Sequence, residues 1–171
     1  MKKFLVFFLI MSVWCGVSFA SDSVVGLTID FEGYTLDNER INSKEFFSAN
    51  KITMINVWGS WCPPCVNELE ALAKLNKKLH SKGCGIIAIE VEQDQSDSTY
   101  DKAKKLLQEK GVTYPNIVMP YDDRGGSFMS HISIVPTTFF VDSKGEILTE
   151  PIEGAAPQEY ESTINKLLKK K

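Results

Sequence analysis

The sequence predicts an α/β fold, in which a central mixed β-sheet is flanked by helices on both faces. Apolar runs of strand length alternate with segments of helical spacing, which indicates strands joined by crossover helices. Near the C-terminus, the turn residues 143–146 separate two apolar runs, which predicts an antiparallel hairpin at an edge of the sheet. The 171-residue chain shows no repeat, low-complexity tract or linker, so one domain is expected after the N-terminal segment.

Each strand is predicted from a short apolar run. We expect strands at residues 25–31, 52–58, 85–91, 114–119, 136–142 and 147–150. Residues 52–58 and 85–91 are apolar almost throughout, as buried strands are. Residues 33–42 are turn-rich, which predicts a loop between the first two strands.

Four helices are predicted from apolar spacing and from their terminal residues. We expect them at residues 44–48, 63–82, 98–110 and 157–168. Ser43 is the predicted N-cap of the first helix, and Gly83 and Gly111 end the second and third. Pro157 lies in the first turn of the last helix, where proline is tolerated. The apolar face of the second helix consists of Val66, Leu69, Leu72, Ala73, Leu75 and Leu79.

The N-terminal segment differs from the rest of the chain. Two lysines precede an almost unbroken apolar run over residues 4–14, and residues 18–20 place small side chains where a signal peptidase cuts. This layout is typical of a secretory signal peptide, so residues 1–20 are predicted to be a signal and residues 21–171 the folded domain. An uncleaved membrane anchor is the alternative, although the run is short for a spanning helix.

Composition and charge exclude some classes of function. Apolar residues make up 43% of the chain and charged residues 24%, which is ordinary for a folded globular protein. Without the signal, 17 basic and 22 acidic side chains remain, and this net charge of −5 argues against nucleic acid as a partner. The basic residues 169–171 are interpreted as a solvated helix end.

Three cysteines remain after the signal: Cys62, Cys65 and Cys84. Three cysteines do not make a disulfide framework for a domain of this size, so we predict a working pair and one bystander. Cys84 opens a buried strand and is expected to pack there as a small apolar residue. Zinc would require a second cysteine pair or nearby histidines, and His80 and His131 are assigned to surface and structural roles.

The Cys62-Pro63-Pro64-Cys65 motif lies between a buried strand and a helix. A thiolate attacks a disulfide, and the positive end of a helix stabilises a thiolate, which lowers the pKa of the thiol from about 8.5. Cys62 is therefore the expected exposed attacking thiol, and Cys65, one turn into the helix, the buried resolving thiol. A static disulfide is the alternative, but closing so short a loop would stabilise the fold little.

Pro63 and Pro64 bear on the direction of electron flow. Proline is tolerated in the first helical turn, where amide hydrogens lack intrahelical partners. Each proline also removes an N–H group that could have bonded the Cys62 thiolate. Since a strongly stabilised thiolate makes a strong oxidant, the moderately stabilised thiolate expected here favours a reductase.

Two segments carry a resemblance to a known family. Residues 56–65, with the sequence NVWGSWCPPC, resemble the active-site segment of the ResA/TlpA group of extracytoplasmic thioredoxin-like reductases, several of which serve cytochrome c maturation. Residues 135–142, with the sequence VPTTFFVD, resemble the cis-proline segment of that group. The resemblance covers roughly residue 25 to the C-terminus. It implies a thioredoxin-like fold with an N-terminal strand extension and a central strand–helix insertion.

The resemblance implies roles for three residues outside the cysteine pair. Pro136 matches the family's cis-proline, which helps to bind the extended backbone of a partner. Glu68 matches the family's acidic residue, and helical spacing independently places it beside Cys65, where a desolvated carboxylate with a raised pKa could take the Cys65 proton. Asn56 stands where thioredoxin has a buried aspartate, which assigns proton handling to Glu68. An ordinary trans proline and a solvated glutamate are the alternatives.

Residues next to these motifs are expected to form a partner surface. Trp61 should be partly exposed beside Cys62 and offer an apolar face, whereas Trp58 should lie in the core. Thr137, next to Pro136, is expected to contact the partner through its backbone.

These expectations converge on a protein-disulfide reductase acting in the periplasm or at the outer face of the cytoplasmic membrane. The resemblance implies apocytochrome c as a substrate, and an exported or membrane thiol donor must reduce the pair again. A disulfide oxidase or isomerase is one alternative, and a copper or haem carrier that uses the thiols is another. No cofactor or metal is expected. Residues 122–126 are interpreted as a turn, because they lack the spacing of a calcium loop.

Overall fold

A computed structural model of the chain describes residues 23–91, 96–118 and 129–170. It confirms the predicted α/β fold with a central mixed sheet. The predicted signal at residues 1–20 and the predicted turn at residues 122–126 lie outside the described residues. Within the described ranges, no helix combines the length and the apolar character that spanning a bilayer requires.

Seven strands and four helices are described. They are β1 (Glu32–Thr35), β2 (Arg40–Asn42), α1 (Ser43–Ser48), β3 (Ile52–Trp58), α2 (Pro63–His80), β4 (Cys84–Glu90), α3 (Asp97–Glu109), β5 (Asn116–Val118), β6 (Thr137–Asp142), β7 (Ile152–Glu153) and α4 (Pro157–Lys169). The sheet order is β2-β1-β5-β4-β3-β6-β7. The three central strands β5, β4 and β3 are parallel, and the neighbours on either side are antiparallel.

Strand β3 separates two hydrophobic clusters. Successive side chains of a strand point to opposite faces, and Ile52 and Met54 join one cluster whereas Ile55 and Val57 join the other. The first cluster includes the buried face of α2, with Leu69, Leu72, Leu75 and Leu79. Asn56 shares the α2 face with Met54, so the fold turns a polar side chain of β3 toward that helix.

The N-terminal prediction is wrong. Residues 25–31 contain only an isolated bridge from Thr28 to Glu146, whereas the predicted loop forms the β1–β2 hairpin. Of the apolar residues in this range, Ile29 and Phe31 are buried whereas Val25 and Leu27 are exposed, so the apolar run reported burial only towards its end. Strand β2 is a partly exposed edge strand with no apolar run to reveal it.

The other boundaries differ by smaller amounts. The N-cap of α1 is Asn42, whose Oδ1 accepts from the Glu45 N–H at 3.2 Å, while the buried Ser43 Oγ accepts from the Phe31 N–H at 2.9 Å. The predicted return strand at residues 147–150 pairs with β6 only through the Ile147–Val141 bridge, and regular pairing resumes at β7 beyond Pro151. Helix α3 and strand β5 lie between β4 and β6, where the resemblance implies an insertion.

The tight approach of Gly145 to the N-terminal segment gives a stability prediction. Gly145 has a φ of 86°, and a Cβ there would lie 2.5 Å from the Ile29 carbonyl oxygen. We expect Gly145→Ala to lower the free energy of unfolding of the oxidised protein by ~2–4 kcal/mol, through left-handed strain together with overpacking. Urea unfolding measures the loss.

Gly111→Ala is the matched control. Gly111 also has a positive φ, of 67°, but nothing lies within 4 Å of the added Cβ. It should lose only ~1 kcal/mol. Equal losses in the two variants would contradict a packed contact at Gly145.

Candidate active site

The end of β3 and the start of α2 place the two cysteines. Cys62 is the N-cap of α2, with φ −96° and ψ 105°, and Cys65 lies in the first turn. The Cys62 N–H donates to the Gly59 carbonyl at 3.1 Å, which fixes the turn that leaves the strand. The two Sγ atoms are bonded at 2.07 Å, with 5.3 Å between the Cα atoms. The chain therefore holds a disulfide at the N-terminus of its longest described helix.

Few hydrogen-bond donors face the Cys62 sulfur. The Cys65 N–H donates to Cys62 Sγ at 3.3 Å. Pro63 and Pro64 occupy the two positions before it and have no N–H to offer. The stabilisation of a Cys62 thiolate in the reduced protein therefore comes from one amide and from the helix dipole.

The prediction that Cys62 is exposed is wrong for the disulfide form. Cys62 is only 4% exposed, and Cys65 is completely buried. The Val135 carbonyl oxygen lies 3.5 Å from Cys62 Sγ, so the segment before Pro136 covers the sulfur.

The segment that covers Cys62 contains a cis peptide bond between Val135 and Pro136. Ile134, just before it, is 49% exposed. Thr137 does not match the expectation of a partner contact: it is 1% exposed, and it pairs in β6 between β3 and β7. Its hydroxyl donates to the Ile134 carbonyl at 2.7 Å, so Thr137 holds the exposed part of the segment in place.

Trp61 lies beside Cys62, and its indole is 43% exposed. Its Nε1 donates to the Val91 carbonyl at 3.0 Å, which anchors the ring at the end of β4. Gly59 leaves room for this arrangement, because a Cβ there would lie 2.6 Å from the Trp61 Nε1. The exposed indole is therefore a fixed surface next to the disulfide.

A buried carboxylate lies on the same helix as Cys65. Glu68 is 3% exposed, and its Oε1 accepts from the Asn56 Nδ2 at 3.0 Å. Its Oε2 accepts from the Tyr160 hydroxyl at 2.9 Å. Burial raises the pKa of Glu68, and the hydrogen bonds from Tyr160 and Asn56 oppose that rise. Cys65 and Glu68 are three residues apart on α2, which places them on one face of the helix.

One strand and one helix supply the partners of Glu68, and a second strand orients one of these partners. Asn56 of β3 also donates through Nδ2 to the Thr138 Oγ1 at 3.1 Å, so the strand β6 fixes the orientation of its amide. Tyr160 of α4 is fully buried, and burial raises its pKa to about 12, so its hydroxyl keeps its proton at neutral pH. Tyr160 was not predicted from the sequence. Its signal was a tyrosine on the core face of α4, where a buried hydroxyl needs a partner.

Trp58, Cys84 and His80 occupy the positions predicted from the sequence. Trp58 is in the core, and its Nε1 donates to the Asn116 Oδ1 at 3.0 Å. Cys84 is buried at the start of β4, and His80 is exposed at the end of α2. Among the described residues, no three His, Cys, Asp or Glu side chains are grouped as metal ligands would be.

The chain is similar to known thiol–disulfide exchange proteins. It matches the model of the Redoxin family over residues 20–168. The thiol-disulfide oxidoreductase ResA of Bacillus thuringiensis subsp. konkukian is 28% identical over 134 residues, which cover 77% of this chain and 71% of that protein. The thiol:disulfide interchange protein DsbE of Haemophilus influenzae is 33% identical over 123 residues, which cover 71% of this chain and 58% of that protein.

A solved structure shows the same fold. A thiol:disulfide interchange protein of the thioredoxin family from Chlorobium tepidum superposes with a TM-score of 0.67 at 22% identity. The superposition covers 81% of this chain and 93% of that one. The thioredoxin-like fold expected from the sequence is confirmed.

The raised pKa of Glu68 gives a prediction on stability and pH. The folded protein binds the proton of the Glu68 carboxyl more tightly than the unfolded chain does. This proton therefore adds to the free energy of unfolding in full below the ordinary glutamate pKa, and its contribution is lost as pH rises through the pKa that Glu68 has in the folded protein. We expect Glu68→Gln to become progressively more stable relative to the parent protein between acidic and neutral pH. Urea unfolding of both oxidised proteins across this range measures the difference.

Glu70→Gln is the control on the same helix. Glu70 is exposed, and it pairs with Lys74 at 2.6 Å, which lowers the pKa of Glu70. The trend described for Glu68→Gln should be absent from this variant. A constant stability difference between Glu68→Gln and the parent protein would contradict the raised pKa.

Proposed function

The chain belongs to the Redoxin family and is a thiol–disulfide oxidoreductase of the ResA/DsbE type, and from that premise we propose that it reduces protein disulfides outside the cytoplasm. In this proposal Cys62 is the attacking thiol, Cys65 the resolving thiol and Glu68 the proton acceptor. The pair cycles between a dithiol and the disulfide described above.

The reaction has two exchange steps. The Cys62 thiolate attacks a disulfide of the partner, so a Cys62–partner disulfide forms and the other partner sulfur leaves as a thiolate. Cys65 then gives its proton to Glu68 and attacks Cys62 Sγ. The Cys62–Cys65 bond forms, the bond to the partner breaks, and the second partner sulfur leaves as a thiolate. Two electrons have passed to the partner.

The surroundings of Cys62 Sγ are the observation on which the reducing direction rests. The Cys65 N–H is the one amide in the first three positions of α2 that can donate to this sulfur, because the other two positions are prolines. An oxidase needs a reduced form that is strongly stabilised, and its thiolate is correspondingly acidic. The proline pair limits that stabilisation and supports a reductase.

The partner is proposed to dock on the apolar surface around Cys62. Trp61, next to Cys62, and Ile134 are exposed, and the Val135 carbonyl oxygen lies 3.5 Å from the Cys62 sulfur. Pro136 fixes the direction of this segment, and Thr137 holds it through the Ile134 carbonyl. An extended peptide with a disulfide would align along this segment. The resemblance to the ResA/TlpA group makes oxidised apocytochrome c the proposed substrate.

The location is proposed from the N-terminal sequence. Residues 1–20 are proposed to act as a signal peptide that exports the domain at residues 21–171, with an uncleaved anchor as the alternative. Disulfides form and persist in such compartments, so partner disulfides are available there. An exported or membrane thiol donor would return Cys62 and Cys65 to the dithiol.

The reduction potential tests the proposed direction. We expect a value near that of thioredoxin, about −270 mV, because the proline pair withholds amide donors from the thiolate. Equilibration with a dithiol buffer of known potential gives the value. A potential near −120 mV is that of a strong oxidase and would overturn the reductase proposal.

The two prolines provide a matched pair of variants for this measurement. An N-cap side chain accepts from the amides of the second and third helical residues, so Pro64→Ala restores a usable donor and Pro63→Ala does not. One added hydrogen bond to the thiolate should raise the potential by roughly 30 mV in Pro64→Ala. A larger rise in Pro63→Ala would contradict this account of the thiolate.

A trapping variant tests the exchange mechanism. Cys65→Ser removes the resolving thiol, so we expect Cys62 to accumulate mixed disulfides with its partners. Non-reducing electrophoresis followed by mass spectrometry of the trapped species identifies them. Cys62→Ser is the control and should capture none. Equal capture by both variants, or no capture by Cys65→Ser, would contradict an attack by Cys62.

A further inference from the structure

Four groups interact with the Tyr160 hydroxyl. Its oxygen is 2.9 Å from Glu68 Oε2, 3.3 Å from the Gly154 carbonyl oxygen and 3.1 Å from the Ala156 nitrogen, and the Thr138 hydroxyl is the fourth group. The Ala156 N–H can only donate, so the hydroxyl oxygen accepts from it, whereas the Thr138 hydroxyl can turn to donate or to accept. Glu68 and Gly154 are the two acceptors that have no hydrogen of their own when Glu68 is ionised, so the single tyrosine hydrogen can go to either.

The charge of Glu68 decides between these two acceptors. An ionised carboxylate can only accept, so Tyr160 must then donate to Glu68 Oε2. A carboxyl protonated on Oε2 donates to Tyr160 instead, and the tyrosine hydrogen turns to the Gly154 carbonyl. Glu68 Oε2 and the Tyr160 hydroxyl each keep a partner in both states, as buried polar groups require.

The second carboxylate oxygen lacks this freedom. Glu68 Oε1 faces the Nδ2 of Asn56, a group that only donates. The same Nδ2 also donates to the Thr138 hydroxyl, which holds the amide in this orientation. A proton on Oε1 would point at a hydrogen of that amide. Oε2 is therefore the favoured site of protonation.

We propose that Tyr160 is a positioning residue of the resolving step, which reverses its hydrogen bond from Glu68 to Gly154 and so holds on Oε2 the proton that leaves Cys65. This inference rests on the proposed function, because it takes Glu68 as the proton acceptor. The Cys65 S–H bond breaks, the proton passes to the carboxylate, and the sulfur electron pair forms the bond to Cys62. Tyr160 changes partners but neither gains nor loses a proton overall.

The groups around Glu68 set the direction of the expected effect. Tyr160 faces it from α4, Cys65 shares its helix, and the neutral Asn56 and Thr138 face it from the sheet. Tyr114 is the other titratable group that interacts with it, and burial raises the pKa of Tyr114, which keeps that residue neutral. Loss of the Tyr160 hydroxyl removes a donor from the ionised carboxylate and an acceptor from the protonated carboxyl, and the hydrogen bond to the charged form is the stronger of the two. Glu68 then ionises at higher pH, and the resolving step moves with it.

The test follows the resolving step as a function of pH. Reduced protein is mixed with an aromatic disulfide whose thiolate absorbs visible light: the attack by Cys62 releases the first thiolate and the attack by Cys65 releases the second. Tyr160→Phe keeps the ring, which packs 6.5 Å from the Phe140 ring, and removes the hydroxyl. We expect the second phase to slow about tenfold on the acidic side of its inflection and to recover at higher pH.

Two further variants separate this reversal of the Tyr160 hydrogen bond, called the relay below, from other effects. Tyr114→Phe removes a buried hydroxyl that has no hydrogen-bond partner among the described residues, and it should leave the inflection in place. Glu68→Gln should remove the inflection. An unchanged profile in Tyr160→Phe, or an equal shift in Tyr114→Phe, would overturn the relay while exchange itself remains intact. A parent protein that releases no second thiolate would overturn the proposed function instead.

A spectroscopic measurement covers the case in which Tyr160→Phe fails to fold. The infrared carbonyl band of protonated Glu68 in the parent protein is assigned by its loss in Glu68→Gln. A band at the frequency of a carboxylic acid that donates a hydrogen bond supports the relay. A band at the frequency of a free acid overturns it.

Discussion

The burial of the Glu68 carboxylate is the constraint on which the arrangement of the site depends. A buried charge is costly unless it is hydrogen-bonded, so its two oxygens require donors that the rest of the fold must supply. Asn56 of β3 and Tyr160 of α4 supply them, and Asn56 is fixed in turn by Thr138 of β6. Helix α2, whose N-cap is Cys62 and whose first turn contains Cys65, is thereby held against β3 and α4. A change in the packing of α4 acts on the site directly.

The turn between β7 and α4 connects the Tyr160 hydroxyl with the cis-proline segment at Pro136. The Gly154 N–H donates to the Pro136 carbonyl at 2.8 Å, and its own carbonyl is the second acceptor for Tyr160. Gly154 has a φ of 83°, a conformation that glycine adopts readily. Gly154 therefore bonds the cis-proline segment through its N–H and offers Tyr160 an acceptor through its carbonyl. The cis-proline segment, where the partner is proposed to dock, and the second acceptor of the Tyr160 hydroxyl therefore have a common support.

The sequence was most informative where function depends on local spacing. Two residues between Cys62 and Cys65 at a strand–helix junction specify the disulfide, and a spacing of three places Glu68 on the face of Cys65. Contacts between distant segments were not predictable in this way. The cover that Val135 places over Cys62 and the hydroxyl of Tyr160 depend on pairings across much of the chain. The N-terminal hairpin was missed because a short edge strand buries little and so has no apolar pattern.

The two sulfurs of the pair are controlled by different parts of the structure. Cys62 is stabilised at the N-terminus of α2, where the first helical residues determine how many amides reach it. Cys65 is buried, and in the proposed mechanism the state of its proton depends on Glu68 and on the strand and helix that hold Glu68. In that mechanism the residues before Cys65 tune the equilibrium between dithiol and disulfide, while Glu68 and its partners tune the rate at which a mixed disulfide is resolved. Such a division allows the potential of the pair to change without loss of the proton acceptor.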